Sequence, residues 1–301
     1  MASNGTTAGD KILNKPILNK QASIGSFTSC DARIDTMPTG RLVTTSLIEV
    51  EQEGLESRGY GVSASRNIET IFPEGNYTGT VNHLGKPNGR GVMRFNDGSV
   101  YEGEWKNSVM GGVGTCTYAD GLTQYKGEWN NGKPEGGGCF IYSNGDRYNG
   151  AWKDGQMDGR GLYSFQNSEK YDGGWKLNRH HGDGKFTYES GNIYDGQWRH
   201  GKKEGNGIFK YANGDEFAGE YSDDRKDGLG VYRRANGELD IKSYSDDIAS
   251  EGVRFSADRK KAWNVKSDGS CCLTLMKNAE TFRENASIIS PFLAHYLDNH
   301  N

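Results

Sequence analysis

Six histidines are the side chains best suited to proton transfer near neutral pH, and none stands in a recognisable catalytic arrangement. They are His83, His180, His181, His200, His295 and His300. No nucleophile or orienting carboxylate lies at a characteristic spacing from any of them, so we expect solvated histidines in inter-hairpin loops or in the C-terminal tail. Acidic residues such as Asp172 and Asp195 recur at one place in a repeating pattern, which indicates sheet chemistry rather than an acid and base pair. The sequence therefore predicts no enzyme.

Glycine-rich and cysteine-rich segments also fail to make a cofactor or metal site. The segment GKPEGGG from Gly132 resembles a phosphate-binding loop, but no GxxxxGK followed by Ser or Thr occurs, and no helix is expected to follow. Cys271 and Cys272 are adjacent but have no second cysteine pair and no nearby histidine to complete a zinc site. We therefore expect no cofactor and no metal.

An aromatic pentapeptide that recurs along the middle of the chain is the strongest signal. Its copies begin 23 or 24 residues apart, with a weaker YTGTV ahead of them at Tyr77. The copies are YEGEW at Tyr101, YKGEW at Tyr125, YNGAW at Tyr148, YDGGW at Tyr171, YDGQW at Tyr194 and FAGEY at Phe217. Such a period is typical of stacked supersecondary units, so we expect a repeat protein that works through surfaces rather than through a pocket.

Each repeat has the pattern of a β-hairpin. Residues 91–95 and 99–105 alternate with period two around the turn Asn96-Asp97-Gly98. Asn-Gly or Asp-Gly recurs at the same place in later repeats, because tight turns need positive φ. Only the repeat at Asn167-Ser168 lacks the glycine. We expect a longer or looser turn there.

The alternation predicts an aromatic face and a charged face. Tyr101, Gly103 and Trp105 share one face of the sheet, whereas Glu102 and Glu104 point to the other and are expected to be solvated. In later repeats the first-strand residues on the aromatic face are Phe140 and Tyr142, Tyr163 and Phe165, Phe186 and Tyr188, and Phe209 and Tyr211. We expect Gly103 to leave room for an aromatic ring from the neighbouring hairpin.

The pattern YxGxWxxGxxxGxG, as in YKGEWNNGKPEGGG from Tyr125, resembles the MORN repeat (membrane occupation and recognition nexus). The resemblance implies an all-β repeat fold, an elongated single-layer antiparallel sheet of stacked hairpins, here with a short C-terminal helical segment. Seven repeats of two strands would span roughly 65 to 70 Å. Val81 and Tyr221 replace Trp in the first and last clear repeats, as expected of capping units.

The pattern divides the chain into five segments. We expect a disordered or extended tail over 1–40, a capping strand within 41–74, MORN repeats over 75–240, degenerate capping hairpins over 241–270 and a helical segment over 271–301. In the last segment Ser290 and Pro291 are favoured at a helix start. The helix that follows presents Phe292, Leu293, Tyr296 and Leu297 on one face, either to cover the aromatic face or to dock into a partner.

Composition and charge exclude several functions. With 44 glycines, 33% hydrophobic residues and a mean hydropathy of −0.82, the chain cannot build a large two-layer core. Five cysteines indicate a reduced compartment, and the repeats place Cys116 and Cys139 on opposite faces. Residues 75–240 contain 21 Lys and Arg against 23 Asp and Glu, and the isoelectric point is about 5.9. Nucleic acid is therefore not expected as a partner, and acidic lipid at most weakly.

These observations favour a non-catalytic scaffold in a larger cytoplasmic and cytoskeletal assembly, bound to other proteins of that assembly. The resemblance to radial-spoke-head and other small MORN scaffolds makes the axoneme of the cilium or flagellum the favoured location. The alternative is a peripheral membrane or phosphoinositide-binding adaptor. Self-association through the end repeats is a further expectation. The candidate partner-binding residues are Tyr101, Trp105, Tyr125, Trp129, Tyr148, Trp152, Tyr171, Trp175, Tyr194, Trp198, Phe292, Leu293 and Tyr296.

Overall fold

The computed structural model describes residues 66–275 and 290–299. Their strands form one antiparallel sheet in which every strand pairs with its neighbours in sequence, from the first pair to the last. The expected tail over 1–40 lies outside the described residues, as do residues 41–65 of the expected capping segment and residues 276–289 of the expected helical segment. The all-β repeat architecture with a short C-terminal helix is confirmed.

Strands of seven and nine residues alternate through the repeats. The seven-residue strands are β2 (Gly75–Val81), β4 (Val100–Lys106), β6 (Gln124–Asn130), β8 (Arg147–Lys153), β10 (Lys170–Lys176), β12 (Ile193–Arg199), β14 (Glu216–Ser222) and β16 (Leu239–Ser245). The nine-residue strands are β3 (Pro87–Phe95), β5 (Val109–Thr117), β7 (Lys133–Ile141), β9 (Gln156–Ser164), β11 (Arg179–Thr187), β13 (Lys202–Lys210) and β15 (Arg225–Arg233). The flanking elements are β1 (Arg66–Phe72), β17 (Ile248–Phe255), β18 (Ala262–Val265), β19 (Cys271–Leu275) and the helix α1 (Pro291–Asp298).

The turn at Asn167-Ser168 is as tight as the others, so the expectation of a longer turn is wrong. Ser168 N donates to Phe165 O at 3.2 Å, and the equivalent bond from Gly145 N to Tyr142 O is 2.9 Å. Ser168 takes the glycine's place with a φ of 72°. The repeat pitch is therefore kept without glycine at this position.

A second tight turn joins the two strands of each repeat after the Trp position. Both of its residues have positive φ in several repeats, for example 50° at Leu177 and 63° at Asn178. This is the backbone of a type I′ turn, which matches the twist of the strands that it joins. The sheet is therefore a continuous meander. His180 and His181, which we expected in inter-hairpin loops, lie on β11.

Each seven-residue strand and the nine-residue strand that follows it change register next to the Trp. Gly127 pairs with Gly138, but Trp129 pairs with Pro134, so extra residues of β7 bulge between these pairs. Gly136 lies in this bulge with a φ of 68°. Bulges of this kind bend a strand and raise its local twist.

The two faces follow the expected alternation. Tyr125 and Trp129 are buried and Lys126 is exposed. Cys116 is fully buried beside Tyr125, whereas Cys139 pairs with Lys126 on the charged face and is a free thiol. The opposite placement of these two cysteines is confirmed.

Helix α1 lies on the charged face, so the expectation that it covers the aromatic face is wrong. Ser290 caps it as expected, because Leu293 N donates to Ser290 Oγ at 3.4 Å. The side chains of α1 pack in a cluster separate from the aromatic core, and Tyr296 Oη donates to Glu216 Oε2 at 2.7 Å. The apolar members of this cluster include Ala218, Val231, Ile241, Val253, Leu293 and Leu297.

The register explains why α1 packs there. Ala218, Val231 and Ile241 pair in a row across β14, β15 and β16. Ala218 and Ile241 hold positions equivalent to those of Glu102 and Lys126, and Val231 holds the position of Thr115 between them. The charged face thus becomes apolar in its C-terminal third, and α1 removes that surface from water.

We expect removal of residues 288–301 to expose this apolar row and to make the chain oligomerise. Light scattering after size-exclusion chromatography measures the mass, with His295→Ala on the exposed side of α1 as control. If the truncated chain has the same oligomeric state and melting temperature as the full chain, α1 does not shield this apolar row from water.

Candidate functional site

The tyrosine of each YxG motif is fully buried and hydrogen-bonded. Tyr125 Oη donates to Glu128 O at 2.9 Å, and Tyr171 Oη donates to Gly174 O at 2.9 Å. Burial raises the pKa of both tyrosines above the ordinary value, so their hydroxyls remain hydrogen-bond donors at physiological pH. The residues that share this position with 0% exposure are Tyr77, Tyr101, Tyr125, Tyr148, Tyr171, Tyr194 and Phe217.

Two paired glycines make room for each of these rings. A Cβ atom on Gly127 would lie 2.6 Å from Tyr125 Oη, and one on Gly138 would lie 2.3 Å from it. The ring above Gly103 likewise belongs to Tyr101 of the same strand, since a Cβ there would lie 2.6 Å from Tyr101 Oη. The expectation of a ring from the neighbouring hairpin is wrong, because each tyrosine ring lies over the glycine two residues later in its own strand.

The tryptophans connect one repeat to the next. Trp129 Nε1 donates to Gly114 O at 3.1 Å. The Trp129 ring stands nearly perpendicular to Tyr125 and to Tyr101 of the preceding repeat, at centroid distances of 5.0 and 5.2 Å. We call these linked rings the aromatic spine: Tyr101, Trp105, Tyr125, Trp129, Tyr148, Trp152, Tyr171, Trp175, Tyr194 and Trp198.

The aromatic spine is a core, and the accessible aromatic area lies beside it. All ten spine residues are 0 to 5% exposed, so they offer a partner almost no area in this conformation, and contact through them stays a prediction. A second row, directly after the nine-residue strands β5, β7, β9, β11 and β13, is only partly buried against the spine. We call this row the aromatic stripe: Tyr118, Tyr142, Phe165, Tyr188 and Tyr211. Most of these residues were expected on the aromatic face, but the sequence did not separate them from the spine.

The helix residues expected at the partner surface face the sheet instead. Leu293 and Tyr296 are 0 and 3% exposed, and Phe292 is partly buried. They lie on the opposite side of the sheet from the aromatic spine. The structure therefore does not bring the thirteen candidate residues together in one site.

Another row of side chains covers the spine from the start of the nine-residue strands. Its members change from apolar to cationic along the chain: Met110, Pro134, Met157, His180, Lys203 and Lys226. Lys203 Nζ lies 5.4 Å from the centroid of Tyr221, and Lys226 Nζ lies 4.5 Å from that of Phe217. Burial lowers the pKa of Lys203. The last repeats thus use cation–π contacts where earlier ones use apolar packing.

His180 corrects the expectation of solvated histidines. It lies on β11, is 4% exposed and stacks on Tyr171 with ring centroids 3.7 Å apart. His181 follows it on the same strand, and His295 is in α1. Burial lowers the pKa of His180 to about 3. The turn before β11 consists of Leu177 and Asn178 and contains no glycine, so nothing in the sequence indicated that a strand begins at Arg179.

We expect His180→Met to flatten the pH dependence of stability. Between about pH 6.5 and 3 the unfolded chain binds a proton that buried His180 does not, so stability falls as the pH is lowered. At pH 5 the free energy of unfolding should be about 2 kcal/mol lower than at pH 7. Methionine fits, because Met157 fills the equivalent place. Urea unfolding of both chains at pH 7 and pH 5 measures the effect. An identical pH dependence in both would mean that His180 titrates in water.

A buried ion pair ends the aromatic row at its C-terminal side. Asp240 pairs with Tyr232 across β15 and β16, in the place of a spine tyrosine, and is 4% exposed. It accepts hydrogen bonds from Arg234 at 3.0 and 2.9 Å and from Arg254 at 2.6 and 2.8 Å. Burial alone would raise the pKa of Asp240, but the bonds from Arg254 and Arg234 outweigh it and lower the pKa.

The two long edges of the sheet carry opposite charge. Connections that precede the seven-residue strands, from 73–74 to 211–215, contain no Lys or Arg and these seven carboxylates: Glu74, Asp97, Asp120, Asp146, Glu169, Glu189 and Asp215. At the opposite edge, the connections from 82–86 to 200–201 contain Lys86 and Asp154, and the strand ends beside them add seven cations: Lys106, Lys133, Lys153, Lys176, Arg179, Arg199 and Lys202. The strand ends at the first edge add Arg147, Lys170, Lys210 and Glu216, so the two edges keep opposite net charge.

We call these the acidic edge and the basic edge. A strand of seven residues separates them by about 24 Å, well beyond a Debye length of about 8 Å, so neither edge cancels the other. The near-neutral sum of charges over the repeats concealed this separation.

Within the described residues, no three or more His, Cys, Asp and Glu side chains are grouped so that they could hold a metal ion. No helix in residues 66–275 or 290–299 is long and apolar enough to cross a bilayer.

Comparison with solved structures gives distant likenesses. The G-box domain of the microcephaly protein CPAP is 13% identical, covering 60% of this chain and 95% of that chain with a TM-score of 0.40. The TCP10 domain of Danio rerio CPAP, in complex with a peptide of Danio rerio STIL, is 11% identical. The match covers 70% of this chain and 99% of that domain, with a TM-score of 0.41. These scores are too low to relate the proteins in function. No curated protein sequence is significantly similar to the chain.

The family comparison agrees with the repeat geometry. The MORN repeat model matches residues 77–100, 101–123, 125–147, 148–170, 171–193, 194–216 and 217–238, more than half of the chain. Each match begins at the buried aromatic residue of a YxG motif or its equivalent, Phe217. The chain therefore belongs to the MORN repeat family.

Proposed function

We propose that the chain is a non-catalytic scaffold that holds a protein partner along the aromatic stripe within a larger cytoskeletal assembly. The observation that carries the proposal is that the stripe is partly exposed, whereas the spine is buried and hydrogen-bonded within the chain. Aromatic side chains often dominate the energetics of protein interfaces. A continuous row of them on an elongated sheet suits an extended partner.

We propose the axoneme of the cilium or flagellum as the location of this assembly. Small MORN scaffolds resembling this chain include radial-spoke-head proteins, which supports the axoneme of the cilium or flagellum. Within the described residues, β1 and β19 each pair with a single strand. Such uncovered edges support self-association by strand pairing.

Comparative affinity purification tests the scaffold. We expect the tagged chain to sediment with the detergent-resistant cytoskeleton and to co-purify a defined set of proteins. Tyr142→Ser with Tyr188→Ser in the stripe should lose those proteins. Lys126→Ser with Lys185→Ser, both exposed on the charged face, should retain them. Equal recovery by both double variants would contradict a partner on the stripe.

A peripheral membrane or phosphoinositide adaptor is the second candidate, because the basic edge presents cations in a line. Each cation near an anionic surface contributes about 1 kcal/mol. The carboxylates Glu135, Asp154, Asp158 and Glu204 lie among these cations near the same turns, and Asp223 forms a salt bridge with Lys202. Successive repeats also stand about 10 Å apart, farther than the Debye length at physiological salt.

We therefore expect weak binding to phosphoinositide vesicles that disappears near 0.15 M salt. Co-sedimentation measures it, with Lys176→Glu and Arg199→Glu on the exposed basic edge as the informative variant. Lys203 is unsuitable for this test because it packs on the aromatic spine. Robust pelleting at 0.15 M salt that this variant abolishes would favour the adaptor over the scaffold.

A further inference from the structure

The five rings of the aromatic stripe have nearly identical surroundings. Four of them pack on the ring two residues earlier, as in Tyr142 on Phe140 at 4.5 Å, whereas Tyr118 has Cys116 at that position. All five meet a ring of the next repeat at almost the same distance. These distances are 5.8 Å for Tyr118 to Phe140, 5.7 Å for Tyr142 to Tyr163, 5.9 Å for Phe165 to Phe186, 5.8 Å for Tyr188 to Phe209 and 5.8 Å for Tyr211 to Tyr232. The stripe is therefore a regular row.

The pitch of this row matches a polyproline II helix. Two strands per repeat set successive rings about 9.6 Å apart. A polyproline II helix rises about 9.3 Å per turn of three residues, so one residue in three can meet a ring. Two turns of α-helix advance about 10.8 Å, and this difference accumulates to about 5 Å over the four intervals. An extended partner thus keeps register along the whole stripe, whereas an α-helix does not.

The acidic edge decides the charge of the partner. The connections beside the stripe contain the seven carboxylates named above and no cation, and the adjoining strand ends add the cations Arg147, Lys170 and Lys210. Carboxylates remain in excess, so a partner with Lys or Arg is complementary. Arg234 of the chain itself shows how a guanidinium can contact both an aromatic ring and a carboxylate beside the stripe. Arg234 follows Tyr211 in the next repeat, lies 5.6 Å from the Tyr232 ring and donates to both carboxylate oxygens of Asp240.

We propose that the aromatic stripe binds an extended, proline-rich segment with lysine or arginine, in polyproline II conformation, from a protein partner. Aromatic-lined grooves elsewhere bind such segments because the polyproline II helix is already ordered before binding. This inference rests on the proposed function and specifies the chemistry of the partner that the scaffold holds.

Fluorescence anisotropy with the full chain at 0.15 M salt tests it directly. The probe is a peptide of about fifteen residues that repeats Pro-Pro-Arg, long enough to span the five rings. Two further peptides keep its arginines, one flexible with Gly-Ser in place of Pro-Pro and one helical with alanine. We expect the proline peptide to bind at least about tenfold more tightly than either, because it loses less conformational freedom. Equal affinity for the flexible or the helical peptide, or no binding of the proline peptide, would overturn the inference.

Variants then locate the site. We expect Tyr142→Leu with Tyr188→Leu to weaken the proline peptide by about tenfold. Asp97→Asn with Glu189→Gln, two exposed turn residues that leave the core intact, should weaken it by about threefold. Glu102→Gln with Asp172→Asn removes the same charge from the opposite face and should leave affinity unchanged. Equal weakening by the last two variants would mean that binding follows net charge alone.

Peptide binding tests the proline-rich segment, and co-purification tests the scaffold, so the two proposals can fail separately. If no peptide binds but Tyr142→Ser with Tyr188→Ser still loses the co-purified proteins, the stripe holds a partner of other chemistry and the proline-rich segment is excluded.

Discussion

Gly127→Val is expected to lower the free energy of unfolding by about 3 kcal/mol. A Cβ at this position would lie 2.5 Å from Gly138 Cα, 2.6 Å from Gly137 O and 2.6 Å from Tyr125 Oη. Two of these three atoms belong to the backbone of the paired strand, so no side-chain rotation relieves the clash. The valine must separate β6 from β7 or displace the Tyr125 ring from its hydrogen bond with Glu128.

Lys126→Ala is the matched control, one residue away on the exposed charged face. It should change stability by less than about 0.5 kcal/mol. Denaturant melts of both variants give the comparison. Similar losses from both substitutions would contradict the assignment of Tyr125 and Gly127 to the buried face.

Asp240→Ala is expected to cost about 3 kcal/mol or more, because it leaves two partly buried guanidinium groups without their carboxylate. The side chains of Arg254 and Arg234 are 15 and 28% exposed, so water replaces the lost bonds only in part. We expect the loss to be local, with β16 to β18 opening before the central repeats.

Hydrogen exchange measures that loss strand by strand. Asp223→Ala is its control, because the Asp223 to Lys202 pair is an exposed salt bridge at a turn and such pairs contribute little to stability. Uniform loss of protection over all repeats, or no loss near Arg254, would contradict a cap at this end of the sheet.

The faces of the repeats were predictable because the side-chain period of a strand is two. Tyr125, Gly127 and Trp129 had to share a face opposite Lys126 once the YxG motif was read as a strand. The buried face of α1 was also predictable, from Ser290 at its start and from the spacing of Leu293, Tyr296 and Leu297.

What α1 packs against was harder to predict, since both an aromatic surface and an aliphatic one could accept it. The signal was present in Ala218 and Ile241, which are apolar at positions that earlier repeats fill with Glu102 or Lys126, and in Val231, which pairs with both. Reading it required the cross-strand register, which depends on the bulge beside each Trp and on turns that contain no glycine. The same register brings Asp240 to Arg254 and separates the cations from the carboxylates along two edges.

Site-specific photo-crosslinking tests the central claim, that the aromatic stripe holds a protein partner, most directly. A photoreactive benzoylphenylalanine replaces Tyr188 in the stripe or, in a separate chain, exposed Asp172 on the charged face of the same repeat. After irradiation in cells, the account predicts discrete protein adducts from position 188 and none from position 172. Absence of adducts at 188, or the same adducts from 172, would contradict it.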